Sequence, residues 1–578
     1  MYKARQTSPV GKFADPSDKE LLEWMVRREL TRRGFIGSGS AMIAGALGLN
    51  TLVAACTPFS PPASSSGPTG QVILADTFAS LGQSSFTPWL ITSNEEVITH
   101  IVGETLIRSN PTTRALEPCL AESWLLSQDG TTWTFTLRPN IPFHGGYGSV
   151  TAEDVQLSWE QYIRPDTIQG FAGAYRQAVG GDISGFEIVS PLEFRLHAKK
   201  PIVTLAALLT NGVVGLVIQS KKYWDAAGDT QASSHPIGTG PFKFVSLTSS
   251  QITLEAVGSH WRKTPAFKQL IIRSVPDDAT KLAQIESGEV DIAPIPLNLK
   301  AEATAAGVRT VSIPAVDCSN IYFGGQYPND PLGAQNYDVN SPWIQAANPS
   351  RGLAIRQALN VAIDRKSIVD KILLGEAELT TCPTCYAPKF PYDDPSWQVP
   401  VYDPTMAKAL LAQGGYPNGF SVNMPEFSPS GRPETASIGE AVAGMWEAIG
   451  LKVNRQPMDF QPTFRAFTAV HHTAGMAYAM TLPYYDEPVL GLTGYIPPGV
   501  GAHWFDPVLT AAYLQMQAEP DQTKRYAIAR GLGTELIQNV RAIPIAADNG
   551  LVVVGKKIKS WSFVKGLAEI HNLEYLST

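Results

Sequence analysis

Strand-like and helix-like patterns alternate irregularly from Gln71 to the end of this 578-residue chain, with no internal repeat. Gln71–Ala75 is aliphatic and bounded by turn residues, and Trp133–Leu137 alternates as a half-buried strand does. Arg356–Ile363 instead places apolar residues four apart, as a helix does, and Asp364 can cap the helix that follows. The alternation predicts a mixed α/β fold with several sheets, and argues against a helix bundle or a β-sandwich.

Further helices are predicted from polar caps and from the spacing of apolar residues. They cover residues 94–108, a segment that opens with Thr151–Asp154 as a relative of the capping box, a segment from Ala407 that stops at Gly414, Ala441–Ile449, and Thr523–Val540. A chain of this length has room for two to four domains.

The charge is unevenly distributed along the chain. Residues 1–55 hold eight Lys/Arg and five Asp/Glu, a local net charge of +3, whereas the whole chain carries −7. The acidic remainder argues against a dedicated nucleic-acid binder, which would normally present a basic surface. A basic leader before an acidic body favours an exported protein.

The leader contains Arg32 and Arg33 followed by Gly-Phe-Ile, which resembles a twin-arginine export signal. The apolar run Ala41–Ala55 is about 15 residues long, shorter than the roughly 20 that a spanning helix needs. It ends at Cys56, as in a bacterial lipobox. Residues 1–55 are therefore interpreted as a lipoprotein signal peptide and Cys56 as the lipidated residue, followed by a Pro/Ser-rich tether over 56–70. The alternative is an ordinary signal peptide with an incidental cysteine, and residues 1–30 have no assigned role.

Four other cysteines are present: Cys119, Cys318, Cys382 and Cys385. An oxidising compartment would permit disulfides, and sequence does not choose among the pairings. The Cys-Pro-Thr-Cys spacing of the last two favours a local disulfide or unpaired thiols over a redox or metal site, because no second such pair accompanies it.

Seven motifs in fixed order resemble family 5 of the extracellular solute-binding proteins, the dipeptide, oligopeptide and nickel receptors of ABC importers. They are Leu120–Trp124 (LAESW), Trp133–Pro139 with Phe143–Gly146, Thr151–Trp159, Gly238–Phe242 (GTGPF), Ser287–Ile292 (SGEVDI), Arg356–Arg365 (RQALNVAIDR), and Tyr402–Pro404 with Ala407–Tyr416. Most of these residues form turns, caps and packing positions, so the resemblance concerns the fold more than the ligand.

The resemblance implies a two-lobed periplasmic-binding-protein fold (type II, cluster C-like) with a small extra α/β domain. Lobe I is expected to be discontinuous, over 70–104, 201–315 and 551–578, and the small inserted domain to cover 105–200. Lobe II is expected over 316–550, joined to lobe I by crossing segments near 313–317 and 547–552. Ligand contacts from both lobes would favour a closed state.

The resemblance also places two ligand segments at the cleft. The first is Thr92-Ser93-Asn94, where a helix begins, and the alternative there is simple helix capping. The second is Tyr484-Tyr485-Asp486, which resembles a family loop whose aspartate fixes a peptide's ammonium group. Tyr484 takes that aspartate's position, which favours polyhydroxy or aromatic solutes over ordinary peptides. Asp486, two residues on, could substitute for the aspartate, but from a different direction. Packing within the lobe is the alternative for both tyrosines.

Three further aromatic residues match family regions near the cleft: Tyr175, Phe460 and Trp504. Core packing is the alternative for each. His471 and His472 suggest a metal site, but adjacent histidines point in different directions and no acidic or thiol group accompanies them, so a solvated pair is expected and no metal site is assigned.

The expected function is that of a lipoprotein that binds a small organic solute outside the membrane and delivers it to the permease subunits of an ABC importer. The expectation includes a monomer, anchored to the membrane surface through its lipid, with no cofactor and no nucleic acid. No phosphate loop, zinc motif or nucleophile motif favours an enzyme. A receptor or chaperone that presents its ligand to another membrane protein is the second hypothesis. The solute, the importer and the number of cell membranes stay open.

Overall fold

A computed structural model describes residues 68–76, 86–90, 93–110, 115–167, 172–179, 182–210, 215–330, 333–383, 392–429, 432–484, 487–492, 503, 507–561 and 573–578. The predicted leader, with Arg32, Arg33 and Cys56, lies outside these residues. Among the helices of these ranges, none is both long enough and apolar enough to span a bilayer.

Strands and helices alternate throughout these ranges. The strands are β1 (Gln71–Asp76), β2 (Ile107–Ser109), β3 (Leu116–Pro118), β4 (Ala121–Leu126), β5 (Thr132–Leu137), β6 (Phe186–Ser190), β7 (Glu193–His197), β8 (Phe242–Leu247), β9 (Gln251–Ala256), β10 (Gln269–Ser274), β11 (Ile292–Pro294), β12 (Arg309–Phe323), β13 (Ala377–Leu379), β14 (Ser421–Glu426), β15 (Lys452–Pro457), β16 (Ala477–Pro483) and β17 (Ala542–Val554). The helices are α1 (Ser93–Val102), α2 (Ala152–Tyr162), α3 (Ala172–Val179), α4 (Leu205–Leu208), α5 (Lys221–Ser234), α6 (Asp278–Ser287), α7 (Lys300–Ala305), α8 (Pro349–Val361), α9 (Arg365–Lys371), α10 (Pro404–Gln413), α11 (Glu434–Ala448), α12 (Arg465–Ala469), α13 (Pro488–Leu492), α14 (Pro507–Ala518) and α15 (Gln522–Asn539).

One large mixed sheet connects the two ends of the molecule. Its order in the described ranges is β16-β12-β17-β11-β1-β10-β9-β8, with β13 paired beside β17. The long strands β12 and β17 belong to both ends: residues 309–313 of β12 pair with the end of β17 beside β11, and residues 317–323 pair with the start of β17 and with β16. We call the β11-to-β8 end the first half-sheet and the end around β16 the second half-sheet. The predicted crossing segments lie within β12 and β17.

A smaller antiparallel sheet, in the order β4-β5-β7-β6, forms a separate α/β unit with α2 and α3. Its inner face buries an aromatic stack in which the ring centroids of Phe135 and Phe194 lie 4.9 Å apart. The predicted cap of α2 is confirmed, because the Thr151 N–H donates to the Asp154 carboxylate at 2.8 Å. A second Asp154 oxygen accepts from the Lys221 N–H at 2.7 Å, which ties this unit to α5.

Helix α1 is shorter than the sequence predicts. The expected helix over 94–108 ends at Val102, and Ile107 and Arg108 belong to β2 instead. Gly103 and the GTGP turn explain the early end, because the Gly240 N–H donates to the Val102 carbonyl at 2.8 Å. A Cβ on Gly238 would lie only 2.4 Å from that carbonyl oxygen, so glycine is required for the turn to approach the helix end.

A buried ionic network fixes this helix end to the C-terminal segment. The Glu104 carboxylate accepts from Trp261 Nε1 at 2.9 Å and from Arg262 Nη2 at 3.1 Å, and Arg262 Nη1 donates to Glu574 at 2.6 Å. Burial alone raises the pKa of Glu104, but His260 and Arg262 outweigh it and hold that pKa at about 2. The network therefore keeps a charged carboxylate in the interior.

The RQALNVAIDR motif anchors its helices to backbone carbonyls at the end of α15 and in β17. The guanidinium of Arg356 donates to the Asn539 carbonyl at 2.8 Å, and that of Arg365 donates to the Pro544 carbonyl at 2.7 Å. The predicted cap at Asp364 is confirmed by a bond of 3.0 Å from the Ser367 N–H. The motif is thus structural, as its residue types indicate.

Candidate functional site

The second half-sheet carries a cluster of aromatic side chains on one face. We call it the aromatic cluster, and its members are Tyr322, Phe427, Phe460, Phe464, Tyr478, Tyr484 and His503. Two of the residues that the sequence assigns to a ligand, Phe460 and Tyr484, lie in it. The cluster is therefore the candidate solute site of the described residues.

The alternation of β12 creates this face. Cys318 and Tyr322 point to the core that contains the cluster, whereas Ile321 and Phe323 point to the core on the opposite face. In β16, Tyr478 lies directly opposite Tyr322 in the register. A strand period of two thus separates an aromatic face from an aliphatic one.

The rings of the cluster pack as a continuous layer. The centroids of Phe427 and Phe464 lie 4.0 Å apart in a stacked arrangement, and Phe464 meets Tyr478 edge-on at 4.9 Å. Phe460 is only partly buried, and its ring lies 5.4 Å from that of Phe427. Phe460 is therefore the member of this layer that can meet a solute without rearrangement.

His503 is the one member of the cluster that is a histidine. Its ring stacks on Tyr322 with centroids 4.4 Å apart, and its Nδ1 shares a hydrogen bond of 2.9 Å with the Tyr478 hydroxyl. Burial lowers the pKa of His503 to about 3, so the imidazole is neutral at physiological pH. His503 is not among the ligand residues predicted from the sequence, although the neighbouring Trp504 is.

Asn320 brings an amide to the same face. It is 0% exposed, and its Nδ2 donates to the Tyr322 hydroxyl at 3.2 Å. Its Oδ1 accepts no hydrogen bond from any residue that the structure describes. A buried acceptor of this kind is costly unless a water or a ligand supplies a donor. The alternation of side chains along a strand places Asn320 on the same face as Tyr322. Nothing in the sequence, however, marks Asn320 as a candidate ligand residue.

Tyr484 lies where β16 ends. Its side chain is 1% exposed, and its backbone N–H donates to the Val316 carbonyl at 3.1 Å, next to the junction between the half-sheets. The adjoining Tyr485 and Asp486 lie outside the described residues, as does Trp504. Glu487 follows in a buried ion pair of 3.3 Å with Arg525, and burial raises the pKa of its carboxyl.

The other predicted ligand residues do not join this cluster in the described ranges. Tyr175 is 0% exposed in the core of the small α/β unit, where its hydroxyl donates to the Leu208 carbonyl at 2.7 Å. Tyr175 therefore packs in the core, which is the alternative that the sequence offered for it. Helix α1 begins at Ser93, and Thr92 and the side chains of Ser93 and Asn94 lie outside what the structure describes.

The opposite face of β12 is charged close to the junction. Asp317 lies directly across from Asp548 in β17 and forms a two-bond ion pair with Arg432 at 2.7 and 2.8 Å. One Asp548 oxygen accepts from the Ser319 hydroxyl, and the other has no partner among the described residues. Burial, with a further contribution from Asp317, raises the pKa of Asp548 well above its usual range.

The expectation of a solvated histidine pair is wrong for His471. This residue is 5% exposed, its Nδ1 lies 2.7 Å from the Asp330 carboxylate, and its ring stacks on Tyr327 with centroids 4.3 Å apart. A positive φ of 61° at His471 turns the chain so that its side chain enters the core. The sequence of two adjacent histidines does not predict this backbone conformation. In the ranges that the structure describes, no three His, Cys, Asp or Glu side chains converge as a metal site would need.

The cysteines of the described ranges are interior residues. Cys119 is buried beside Glu104, with its Sγ 4.0 Å from the carboxylate, and burial raises the pKa of its thiol. Cys318 and Cys382 are buried in the core that contains the aromatic cluster, and Cys385 lies outside the described residues.

Comparison with known proteins gives a family match. The sequence model of the bacterial extracellular solute-binding proteins, family 5 Middle, matches residues 115–495. Heme-binding protein A of Haemophilus influenzae is 29% identical over 363 residues, which cover 59% of this chain and 61% of that protein. The chain spans about 60% of the length of the curated relatives that it matches.

Solved structures with the same fold cover more of the chain. The periplasmic binding protein DppA from Helicobacter pylori, in complex with the peptide STSA, superposes with a TM-score of 0.70 at 21% identity, over 88% of this chain and 98% of that one. MoaA from A. tumefacien R10, in complex with mannopinic acid, gives 0.68 at 22% identity, over 88% and 99% of the two chains. The predicted two-lobed periplasmic-binding-protein fold is confirmed.

Proposed function

Because the chain belongs to family 5 of the bacterial extracellular solute-binding proteins, we propose that it binds a small organic solute and delivers it to the permease of an ABC importer. The proposed site lies between two lobes that divide at β12 and β17, over the ranges that the sequence predicts. The protein acts by binding and release, without catalysis.

The observation that carries this proposal is the aromatic cluster beside the junction. It offers a partly exposed ring at Phe460 and a buried ring at Tyr484, and the members that β12 and β16 contribute, Tyr322 and Tyr478, are uncharged. His503 adds a neutral imidazole, since burial keeps its pKa at about 3. Aromatic faces with neutral hydrogen-bonding groups suit sugars and other hydroxylated or aromatic solutes.

The position of Tyr484 argues against ordinary peptides. A peptide ammonium held in a closed cleft needs a charged partner. Tyr484 instead presents a phenol at the place where the resemblance puts an aspartate, and Glu487 is already paired with Arg525. We therefore infer a solute that lacks a free ammonium group as its main anchor, such as an oligosaccharide or a sugar–amino-acid conjugate.

Calorimetric titration with peptides, oligosaccharides, sugar–amino-acid conjugates, nickel–histidine and haem tests the proposal. We expect one uncharged or hydroxylated class to bind, and Tyr484→Ala to weaken that binding about tenfold or more, because buried aromatic contacts dominate such sites. Tyr402→Ala is the matched control, since Tyr402 is 45% exposed and outside the cluster. Binding of peptides alone, with no effect of Tyr484→Ala, would refute the solute class.

The anchoring and export of the protein form a separate part of the proposal. Arg32 and Arg33 direct export through the twin-arginine route, and Cys56 carries the lipid that holds a monomer at the outer face of the membrane. Cys56→Ala is expected to release exported protein from the membrane fraction, and an unchanged membrane fraction would contradict the anchor.

A further inference from the structure

The two long strands of the main sheet are irregular where they pass between the half-sheets. The pairing of β12 with β17 shifts register between Ile313 and Asp317. Ala315 lies within this break with a φ of +51°, a conformation that a residue with a Cβ adopts only when its surroundings impose it. The Ala315 N–H donates to Asn549 Oδ1 at 3.0 Å, so a side chain of β17 replaces the lost ladder bond.

One carboxylate holds both strands at this break. Glu376, which is 7% exposed, accepts from the Ser312 hydroxyl of β12 at 2.6 Å and from Asn549 Nδ2 of β17 at 3.2 Å. Its backbone carbonyl also accepts from the Asn549 N–H at 3.0 Å. Glu376 immediately precedes β13, which pairs with β17 in the second half-sheet. It therefore fixes the path of both strands from the side of the second half-sheet.

Lys300 reaches the same carboxylate from the other side of the break. It begins α7, which follows β11 of the first half-sheet, and its Nζ donates to Glu376 Oε1. The Lys300 side chain is 33% exposed, whereas the Glu376 side chain is 9% exposed. The Lys300 ammonium group can therefore separate from Glu376 and become solvated, while Glu376 keeps its hydrogen bonds to Ser312 and Asn549.

We propose that Glu376 is the clamp of an interlobe hinge centred on Ala315, and that the Lys300–Glu376 ion pair is its releasable latch. The latch stabilises the arrangement in which β12 and β17 join the first half-sheet to the second. Loss of the latch widens the range of angles between the two lobes. Hinge residues act on affinity by changing the population of the binding-competent state, not by touching the solute. The affinity part of this inference rests on the proposed function, but the lobe motion does not.

Hydrogen exchange and small-angle X-ray scattering on the solute-free protein test the latch directly. We expect Lys300→Met to speed exchange across residues 309–317 about threefold to tenfold, and to broaden the scattering-derived distribution of dimensions. Lys366→Met is the matched control, because Lys366 forms an exposed ion pair with Asp370 within one helix, and this pair does not include Glu376. Glu376→Gln keeps an acceptor for Ser312 and should give an intermediate effect.

Titration of Lys300→Met with every solute that the wild type binds is the second readout. A hinge effect changes the affinity for all of them by the same factor, whereas a lost solute contact changes one class selectively. Exchange and scattering identical to the Lys366→Met control would overturn the latch. If the wild type binds no solute, the proposed function fails while the exchange result still decides the hinge.

Discussion

The two faces of β12 differ sharply in how they treat charge. On one face, Asn320 and Tyr322 meet Tyr478 and His503 in an interior without an ionised group among the described residues. On the other face, three residues before Asn320 in the same strand, Asp317 faces Asp548 and pairs with Arg432. Strand β12 therefore keeps its charge at the junction and away from the aromatic cluster, where the solute is proposed to bind.

The largest effect is expected when a charge is placed on the neutral face of β12. Asn320→Asp would bury a carboxylate beside aromatic rings, with no cation among the described members of the cluster to compensate it. We expect it to lower the free energy of unfolding at pH 7 by about 3 kcal/mol or more. Urea denaturation measures the change. The loss should shrink at pH 4.5, where the carboxyl is protonated, and the exposed substitution Asn454→Asp serves as the control. An equal stability of the two variants at pH 7 would show that the face accepts charge.

The converse change removes a charge from the junction. Burial raises the pKa of Asp548 above its value in the unfolded chain. The stability that this carboxyl contributes is therefore fully present below the unfolded pKa. It is lost as the pH rises through the folded pKa, because the folded protein must then bury a charge. Asp548→Asn should therefore raise the free energy of unfolding by about 1 kcal/mol at pH 7.5 and change it less at pH 4. Urea denaturation at both pH values tests the sign. A loss of stability at pH 7.5 would mean that the carboxylate is a net stabilising partner of Arg432.

The smallest effect is expected within the neutral face itself. Tyr478→Phe removes only the hydroxyl that bonds to His503 Nδ1, which should cost about 1 kcal/mol of unfolding free energy. Because His503 is neutral in the folded protein, the cost should be the same at pH 6 and pH 8. A cost that grows between these values would indicate that the imidazole titrates in the folded state.

Sequence predicted the fold far better than the candidate site. The turn at Gly238, the caps at Thr151 and Asp364 and the alternating strand at Trp133–Leu137 are local features, and the structure confirms each of them. The resemblance added the order in which these pieces assemble.

The site could be predicted only in part because it depends on contacts between distant segments. Sequence placed Phe460 and Tyr484 near the solute, and the structure brings both into one cluster. His503 and Asn320 were not predicted, because nothing in the local sequence distinguishes them. Their role depends on the contacts between β12, β16 and the segment that carries His503. Tyr175 has the same residue type as Tyr484, yet it packs in the small α/β unit with its hydroxyl on a backbone carbonyl. Residue type and order cannot distinguish these two outcomes.

The aromatic cluster is proposed to hold its solute through neutral contacts, and the pH dependence of binding tests this proposal. Calorimetric titration of the best solute at pH 5.5, 7 and 8.5 should give the same Kd within about twofold, because burial lowers the pKa of His503 to about 3 and raises that of Tyr478, so neither group ionises over this range. Tyr484→Asp should abolish binding of that solute at pH 7. A Kd that changes tenfold across this range, or a Tyr484→Asp variant that binds as tightly as the wild type, would contradict the claim.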